Sequence, residues 1–237
     1  MVDPSTIIRW VREEPTIALD TETTGLDWRK NKVIGYAFAL PYPTSSFIPS
    51  AYVPVRHTGG GNIGNAESFE RQLAKEMEHR PPDWRTVCHN AVFDAQMCLN
   101  HGVSLGRRLF CTMNSQALLD EFTPSFSLDS LAKQYGVEQK LGDEIQRYLF
   151  RNFGAQPSLF PDDRVDERGL MQHFHRLSGT DPKVQDYAKG DVISTVGIYL
   201  KQDLEINRRG LQSIVQMENE LLWTLVGMER RLSLIHI

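Results

Sequence analysis

The stretch Thr16-Ile17-Ala18-Leu19-Asp20-Thr21-Glu22-Thr23-Thr24-Gly25-Leu26-Asp27 decides how the rest of the chain reads. It opens as an apolar run and closes on acids and a glycine turn. Residues 16–20 predict a buried strand, because a short apolar run bounded by turn signals marks a strand covered on both faces. Asp20 and Glu22 are two apart, and residues two apart on a strand share a face. Both carboxylates then project together from the edge of an apolar core. Two like charges about 4 Å apart repel by ~1 kcal/mol in water and by about 4 kcal/mol at an effective dielectric of 20. A fold that holds them there needs a cation, a shared proton or solvent.

Outward from this stretch, Ser5 is placed to cap a short first helix with Ile7, Ile8 and Val11 on its apolar side, and Pro15 stops it. Residues 32–40 and 47–55 read as two further strands separated by a Pro/Ser-rich turn. Residues 66–80 are helical and end at Pro81-Pro82. A short strand at 86–88, a helix at 91–101 and a strand at 109–112 follow. Beyond them the pattern is mostly helical, at 113–119, 127–135, 143–153, 169–177 and 182–209, with a Pro- and Asp-rich loop at 154–167. Strands first and helices later predict an α/β domain with a mixed sheet.

Composition bounds the function. The 237 residues carry a net charge of -4, with 41% hydrophobic and 24% charged residues, which is ordinary for a soluble globular chain. Mild acidity argues against a protein that coats nucleic acid with a broad basic surface. It leaves room for an enzyme that gathers acids in a metal site. The longest nearly uncharged apolar stretch, 33–40, is too short to span a bilayer, and Met1-Val2-Asp3-Pro4 lacks the regions of a signal peptide. The expectation is a cytoplasmic protein; a phage-encoded one would act in the host cytoplasm. Cys88, Cys98 and Cys111 form no CxxC pair, so they read as reduced, partly buried thiols.

Some patterns mislead. Gly59-Gly60-Gly61-Asn62-Ile63-Gly64 matches GxGxxG between a strand and a helix, but the second strand ends in His89-Asn90 rather than in the acid that would hold a ribose. It reads as a flexible loop. His173 and His175 lie about 200° apart on a helix and cannot share one ion. Arg107-Arg108 and Arg230-Arg231 read as solvated surface charges.

Two further units join the first acids. In His89-Asn90-Ala91-Val92-Phe93-Asp94 a strand leads into a helix; Asp94 lies on its first turn and is expected to face the strand ends, with Phe93 packed inward. In Tyr187-Ala188-Lys189-Gly190-Asp191 the tyrosine and acid are i and i+4 and share a helix face, which Gly190 leaves open on one side.

The ordered set IALDTETTGLD, HNAVFD and YAKGD resembles the three motifs of the DEDD-superfamily 3′–5′ exonucleases, in the branch with tyrosine in the third motif. Cys111-Thr112-Met113, Leu118-Leu119-Asp120-Glu121 and Ser127-Leu128-Asp129-Ser130-Leu131-Ala132 resemble the segment between the second and third motifs of family A DNA polymerases, phage-like ones especially. The resemblance runs from about Ile7 to Gln202 and shows no departure in the four acids or the tyrosine. It implies a ribonuclease H-like fold, a mixed sheet flanked by helices.

It also implies the chemistry. Asp20, Glu22 and Asp191 would hold the first of two divalent ions, Mg²⁺ or Mn²⁺. Asp20 would bridge to the second, which Asp94 supports. Tyr187 would orient the attacking water. Thr23, Thr24, Leu26, Asn90 and Phe93 would touch the single-stranded or frayed 3′ end of DNA, with Leu26 as a wedge against the last base or as core packing. The implied role is proofreading release of nucleoside monophosphates. Alternatives are a stand-alone ribonuclease D-like exoribonuclease and a non-catalytic nucleic-acid-binding module.

Residues 1–209 then form the exonuclease domain. Residues 210–231, about 33 Å long as a helix, resemble the helix that leads into a C-terminal polymerase domain. Its apolar stripe is expected either against that domain or on the exonuclease itself. Residues 232–237, Leu232-Ser233-Leu234-Ile235-His236-Ile237, fit no helix terminus and resemble a translated sequencing adapter, a non-native tail.

Overall fold

The apolar run at 16–20 becomes β1 (Thr16–Thr23), the middle strand of a five-stranded sheet in the computed structural model, which describes residues 3–42, 47–137, 141–154 and 170–235. The others are β2 (Val33–Ala39), β3 (Ser50–Pro54), β4 (Arg85–Cys88) and β5 (Arg108–Cys111), in the order β3-β2-β1-β4-β5. β1, β2 and β3 form an antiparallel meander, and β4 and β5 add on parallel to β1. The sheet is mixed because short turns join the first three strands, whereas β4 and β5 arrive through helical crossovers.

Side-chain alternation divides the core into two layers. One face carries Ile17, Leu19, Tyr36, Phe38, Cys88 and Cys111. It is covered by α1 (Pro4–Glu13), α2 (Ala66–His79) and α3 (Ala91–Leu99), through Ile7, Val11, Leu73, Met77, Ala95 and Met97. The other face carries Ala18, Ala37, Tyr52, Val87 and Phe110. It is covered mainly by the long helix α7 (Pro182–Arg209), through Val184, Tyr187, Val192, Val196 and Tyr199. Between β5 and α7 come α4 (Thr112–Leu119), α5 (Leu128–Tyr135), α6 (Gly142–Phe153) and a 3₁₀ turn (Met171–Arg176). The three cysteines are buried free thiols, and burial pushes all three above the usual thiol range, so they are inert packing groups.

Several local expectations change. Asp3, not Ser5, caps α1; its carboxylate accepts from the Ser5 amide at 3.0 Å, and Pro4 takes the first helical position where its missing N–H costs nothing. Residues 171–176 are a 3₁₀ turn rather than α-helix. The loop expected at 154–167 falls almost wholly outside the described residues. Arg230 is not simply solvated: it stacks over Trp28 at 4.9 Å and donates to Asn100. The last helix, α8 (Gln212–Ile235), runs on past residue 231 into the stretch expected to fit no helix terminus. It covers β5, with the Asn219 side chain accepting the Cys111 amide at 2.8 Å, which caps the sheet edge. Val215, Leu222 and Val226 are buried on the domain, while Ile214, Met217, Leu221, Leu225, Met228 and Leu232 form a second, outward stripe.

One buried group gives the fold an acid sensitivity. His57 is 3% exposed, and burial lowers its pKa to about 4. The unfolded chain therefore binds a proton below pH 6.5 that the folded chain refuses, and stability falls as pH drops from 6.5 toward 4. Between pH 7.5 and 5.0 this one group should cost ~2 kcal/mol. Urea unfolding of wild type and His57→Gln at the two pH values checks this: the variant should lose about 2 kcal/mol less on acidification, and an unchanged pH slope would assign the effect to other groups.

Candidate active site

The site is built at the C-terminal end of β1. Asp20 and Glu22 lie on the α7 face of the sheet, opposite Ala37 and Gly35 of β2. On α7, Tyr187 and Asp191 are one turn apart and face them. Glu22, Asp191 and Tyr187 are only 8%, 5% and 4% exposed. Oxygens of Asp20, Glu22 and Asp191 lie within 4.8 Å of one another. The sequence units at 20–22 and 187–191, far apart in the chain, thus meet as the family resemblance implies. Gly190 is not required by close packing, since an added Cβ would reach only Leu141 Cγ at 3.9 Å.

The donor set suits a hard divalent cation. Three carboxylates around one point supply only oxygen ligands, the kind that Mg²⁺ and Mn²⁺ prefer. Held this close in a half-dry site, their mutual repulsion is relieved by a cation. Tyr187 differs in kind. Burial, and then the charge of Asp191, push its hydroxyl well above the usual tyrosine range, so it stays protonated and acts as a neutral hydrogen-bonding group. Phe174 of the 3₁₀ turn packs on its ring at 5.3 Å between centroids.

Asp94 is not in this cluster. It is buried on the opposite face of the sheet, where its Oδ1 accepts from the Thr21 amide at 3.1 Å and the Thr21 hydroxyl at 2.7 Å. The reason is strand alternation: Thr21, between Asp20 and Glu22, points to the α3 side and meets the fourth acid there. Burial raises the Asp94 carboxyl to about 7, against the lowering effect of the two Thr21 bonds. Phe93 both packs against the core and lines the open cleft, and Asp94 meets the end of β1 at Thr21 while being itself buried.

That cleft, of about 570 Å³, is the size of a small-ligand site. Thr23, Leu26 and Phe93 line it. Leu26 is 86% exposed, which removes the core-packing reading for it. Thr24 and Asn90 do not line it. The Thr24 hydroxyl is engaged with Asn31 and Lys32 in the turn, and Asn90 is exposed at the start of α3. Beyond Thr21 and Gly25, which sit inside the first motif, four lining residues outside every motif escaped the sequence reading: Gln146 from α6, and Met171, Gln172 and Phe174 from the 3₁₀ turn. No local pattern marks them, because only the return of the chain over the sheet brings them to the site. His173 and His175 take no part in the acid cluster.

A family model described as 3′–5′ exonuclease matches residues 2–207. DNA polymerase DpoZ of Vibrio phage phiVC8 is 31% identical over 225 residues, covering 90% of this chain and 31% of that protein. The chain thus spans about a third of the length of the curated relatives it matches. Among solved structures, Escherichia coli RNase D, an exoribonuclease involved in structured RNA processing, has a TM-score of 0.58 at 18% identity, over 94% of this chain and 48% of that one. Brucella melitensis NrnC with bound Mg²⁺ has a TM-score of 0.55 at 14% identity, over 93% and 88%. The mixed sheet flanked by helices is the ribonuclease H-like exonuclease fold.

The carboxylate cluster makes a prediction that needs no substrate. Asp191→Asn should raise the melting temperature without metal, by a few degrees, since relieving ~1 kcal/mol of repulsion shifts a domain of this size by about 2–4 °C. It should also remove the further rise that Mg²⁺ gives wild type. Thermal melts in EDTA and in Mg²⁺ check both; an equal Mg²⁺ response in the two proteins would detach Asp191 from the cation.

Proposed function

Because the chain belongs to the 3′–5′ exonuclease family, we propose that it hydrolyses the 3′-terminal phosphodiester of DNA and releases nucleoside monophosphates, as the proofreading part of a DNA polymerase. The observation that carries this reading is the convergence of Asp20, Glu22 and Asp191 within 4.8 Å at the floor of an open cleft, with Tyr187 beside them. Divalent ions, Mg²⁺ or Mn²⁺, would supply neutralisation of the phosphate and an acidified water when bound. Asp20, Glu22 and Asp191 would hold one ion, and Asp20 with Asp94, which reaches the site only through its contact with Thr21, would serve a second.

The remaining work falls to the chain's own groups. Tyr187, protonated at neutral pH, orients the attacking water by hydrogen bonding and takes no proton. Leu26 and Phe93 offer apolar surface to the last base, a contact that tolerates any sequence. Thr23 stands beside them with its hydroxyl donated to Gly25 O at 2.9 Å, which holds the turn in shape. Thr24 and Asn90 shape this rim from outside the cleft.

The polymerase association is supported by two facts. The matched region is only 31% of DpoZ, and α8 carries an outward apolar stripe on the side away from the domain. A C-terminal polymerase domain is the partner that covers this stripe. No helix among the described residues is long and apolar enough to cross a membrane.

The assay uses 3′-labelled single-stranded DNA with Mg²⁺. Wild type should release labelled mononucleotide, and Asp20→Ala with Glu22→Ala should abolish release. Tyr187→Phe should slow it about 10- to 100-fold, the cost of misplacing one reacting group, while Mg²⁺ affinity by calorimetry stays near wild type. Undiminished release by the double variant would overturn the site. Faster turnover of RNA than DNA would move the substrate to RNA, and absence of Mg²⁺-dependent release by wild type would leave a binding module.

A further inference from the structure

We propose that His57 is a positioning residue for Tyr187, acting through the glycine loop that clasps the 3₁₀ turn to the sheet. The inference rests on the exonuclease reading above, in which Tyr187 orients the attacking water. The loop is the Gly59-Gly60-Gly61-Asn62 run that imitates a dinucleotide fingerprint.

Its geometry explains each glycine. A Cβ on Gly59 would lie 2.2 Å from Arg176 O and 2.6 Å from the Leu177 carbonyl carbon. Gly60 and Gly61 adopt left-handed backbone, at φ 86° and 69°. Gly179 meets the loop from the other side, where its Cβ would strike Pro54 at 2.3 Å. Backbone bonds stitch the two segments together: the Thr58 amide donates to His175 O at 2.8 Å, and the Gly179 amide to Gly60 O at 2.9 Å. The Asn62 side chain closes the loop on His57, accepting its amide and donating to its carbonyl. The clasped segment continues into α7, whose first turn is capped by Asp181 and tied back by Gln185 donating to Gly179 O.

His57 is the keystone of this clasp. Its Nδ1 lies 3.0 Å from Leu177 O, and its Nε2 lies 2.7 Å from the Tyr52 hydroxyl. A carbonyl only accepts, so Nδ1 carries the proton and Nε2 accepts from Tyr52. Burial keeps the ring neutral, which this arrangement requires. The Tyr52 hydroxyl lies where only a glycine, Gly35, leaves space, and Gly35 is the β2 partner of Glu22. On its other side the His57 ring packs on Phe174 at 5.9 Å, and Phe174 packs on Tyr187 at 5.3 Å. One continuous stack, Tyr52, His57, Phe174 and Tyr187, therefore runs from the sheet behind Glu22 to the hydroxyl beside the acids. Loss of His57 removes the ring packed on Phe174, whose own ring backs Tyr187, and the carbonyl anchor at Leu177, whereas His57 has no ring contact with the three carboxylates.

This separates kcat from metal binding. His57→Ala should lower kcat for nucleotide release about 10-fold or more, as misplacement of a positioned group does. KM for the DNA and the Mg²⁺ midpoint should stay within about 2-fold. In a Tyr187→Phe background the same substitution should cost little, since groups that act as one unit are not additive. Tyr52→Phe, which keeps the ring and removes only the donor to Nε2, should show the same pattern more weakly, and it decides the matter if His57→Ala does not fold. Hydrogen exchange should show faster exchange at 174–180 in both variants. Additive losses in the Tyr187→Phe background, unchanged kcat, or a Mg²⁺ midpoint that moves in step with kcat would overturn the inference while the exonuclease reading stands. An inactive wild-type protein would overturn that reading itself, and with it the role of His57.

Discussion

Alternation along Asp20-Thr21-Glu22 is the constraint on which the rest depends. Two carboxylates on one face of a central strand are stable only if something opposite accommodates them, and α7 brings a third carboxylate rather than a base. The intervening threonine goes to the other face and takes the fourth acid by two hydrogen bonds to one oxygen. A one-residue slip in the β1–β2 register would exchange the faces, burying Asp20 and Glu22 among the residues of α1 and α3. The register is therefore held hard, with apolar partners on both faces and the bulge deferred to Glu22/Thr23, beyond the acids.

The surrounding structure compensates for a site that opposes folding. Three close carboxylates, a buried Asp94 raised to about 7 and a buried His57 lowered to about 4 all cost free energy at some pH. Against this stand two apolar layers and a sheet whose β5 edge is closed by Asn219 of α8. Stability is spent at the catalytic end of the strands and recovered in the layers beneath it. This is where a fold departs from local consistency, because function demands groups that packing alone would exclude.

The glycine loop shows how a motif can be read correctly as backbone chemistry and wrongly as a ligand site. Glycines signal close approach or left-handed backbone whatever the approaching partner is. Here the partner is the chain's own segment 176–180, not a phosphate. Nothing within 59–64 distinguishes the two cases. The missing acid after β4 weakens the cofactor reading, but only the packed structure supplies the alternative.

By itself the sequence determined the sheet-first order, the strand at 16–20, the long helix at 182–209, and the shared faces of Asp20 with Glu22 and of Tyr187 with Asp191, because each rests on local periodicity or on spacing within one element. Tertiary structure decided what those periodicities do not encode. It set Asp94 behind Thr21 and placed Phe93 both on the core and in the cleft wall, since helix α3 is oriented by its packing on β1 and not by its own pattern. It brought Gln146, Met171, Gln172 and Phe174 to the site from segments that nothing marks as functional. It divided α8 between a covered and an outward stripe, because a helical sequence shows how apolar its surface is but not which neighbour meets it. Short-range order is written in the spacing of residues; which elements face one another follows only when the whole core closes.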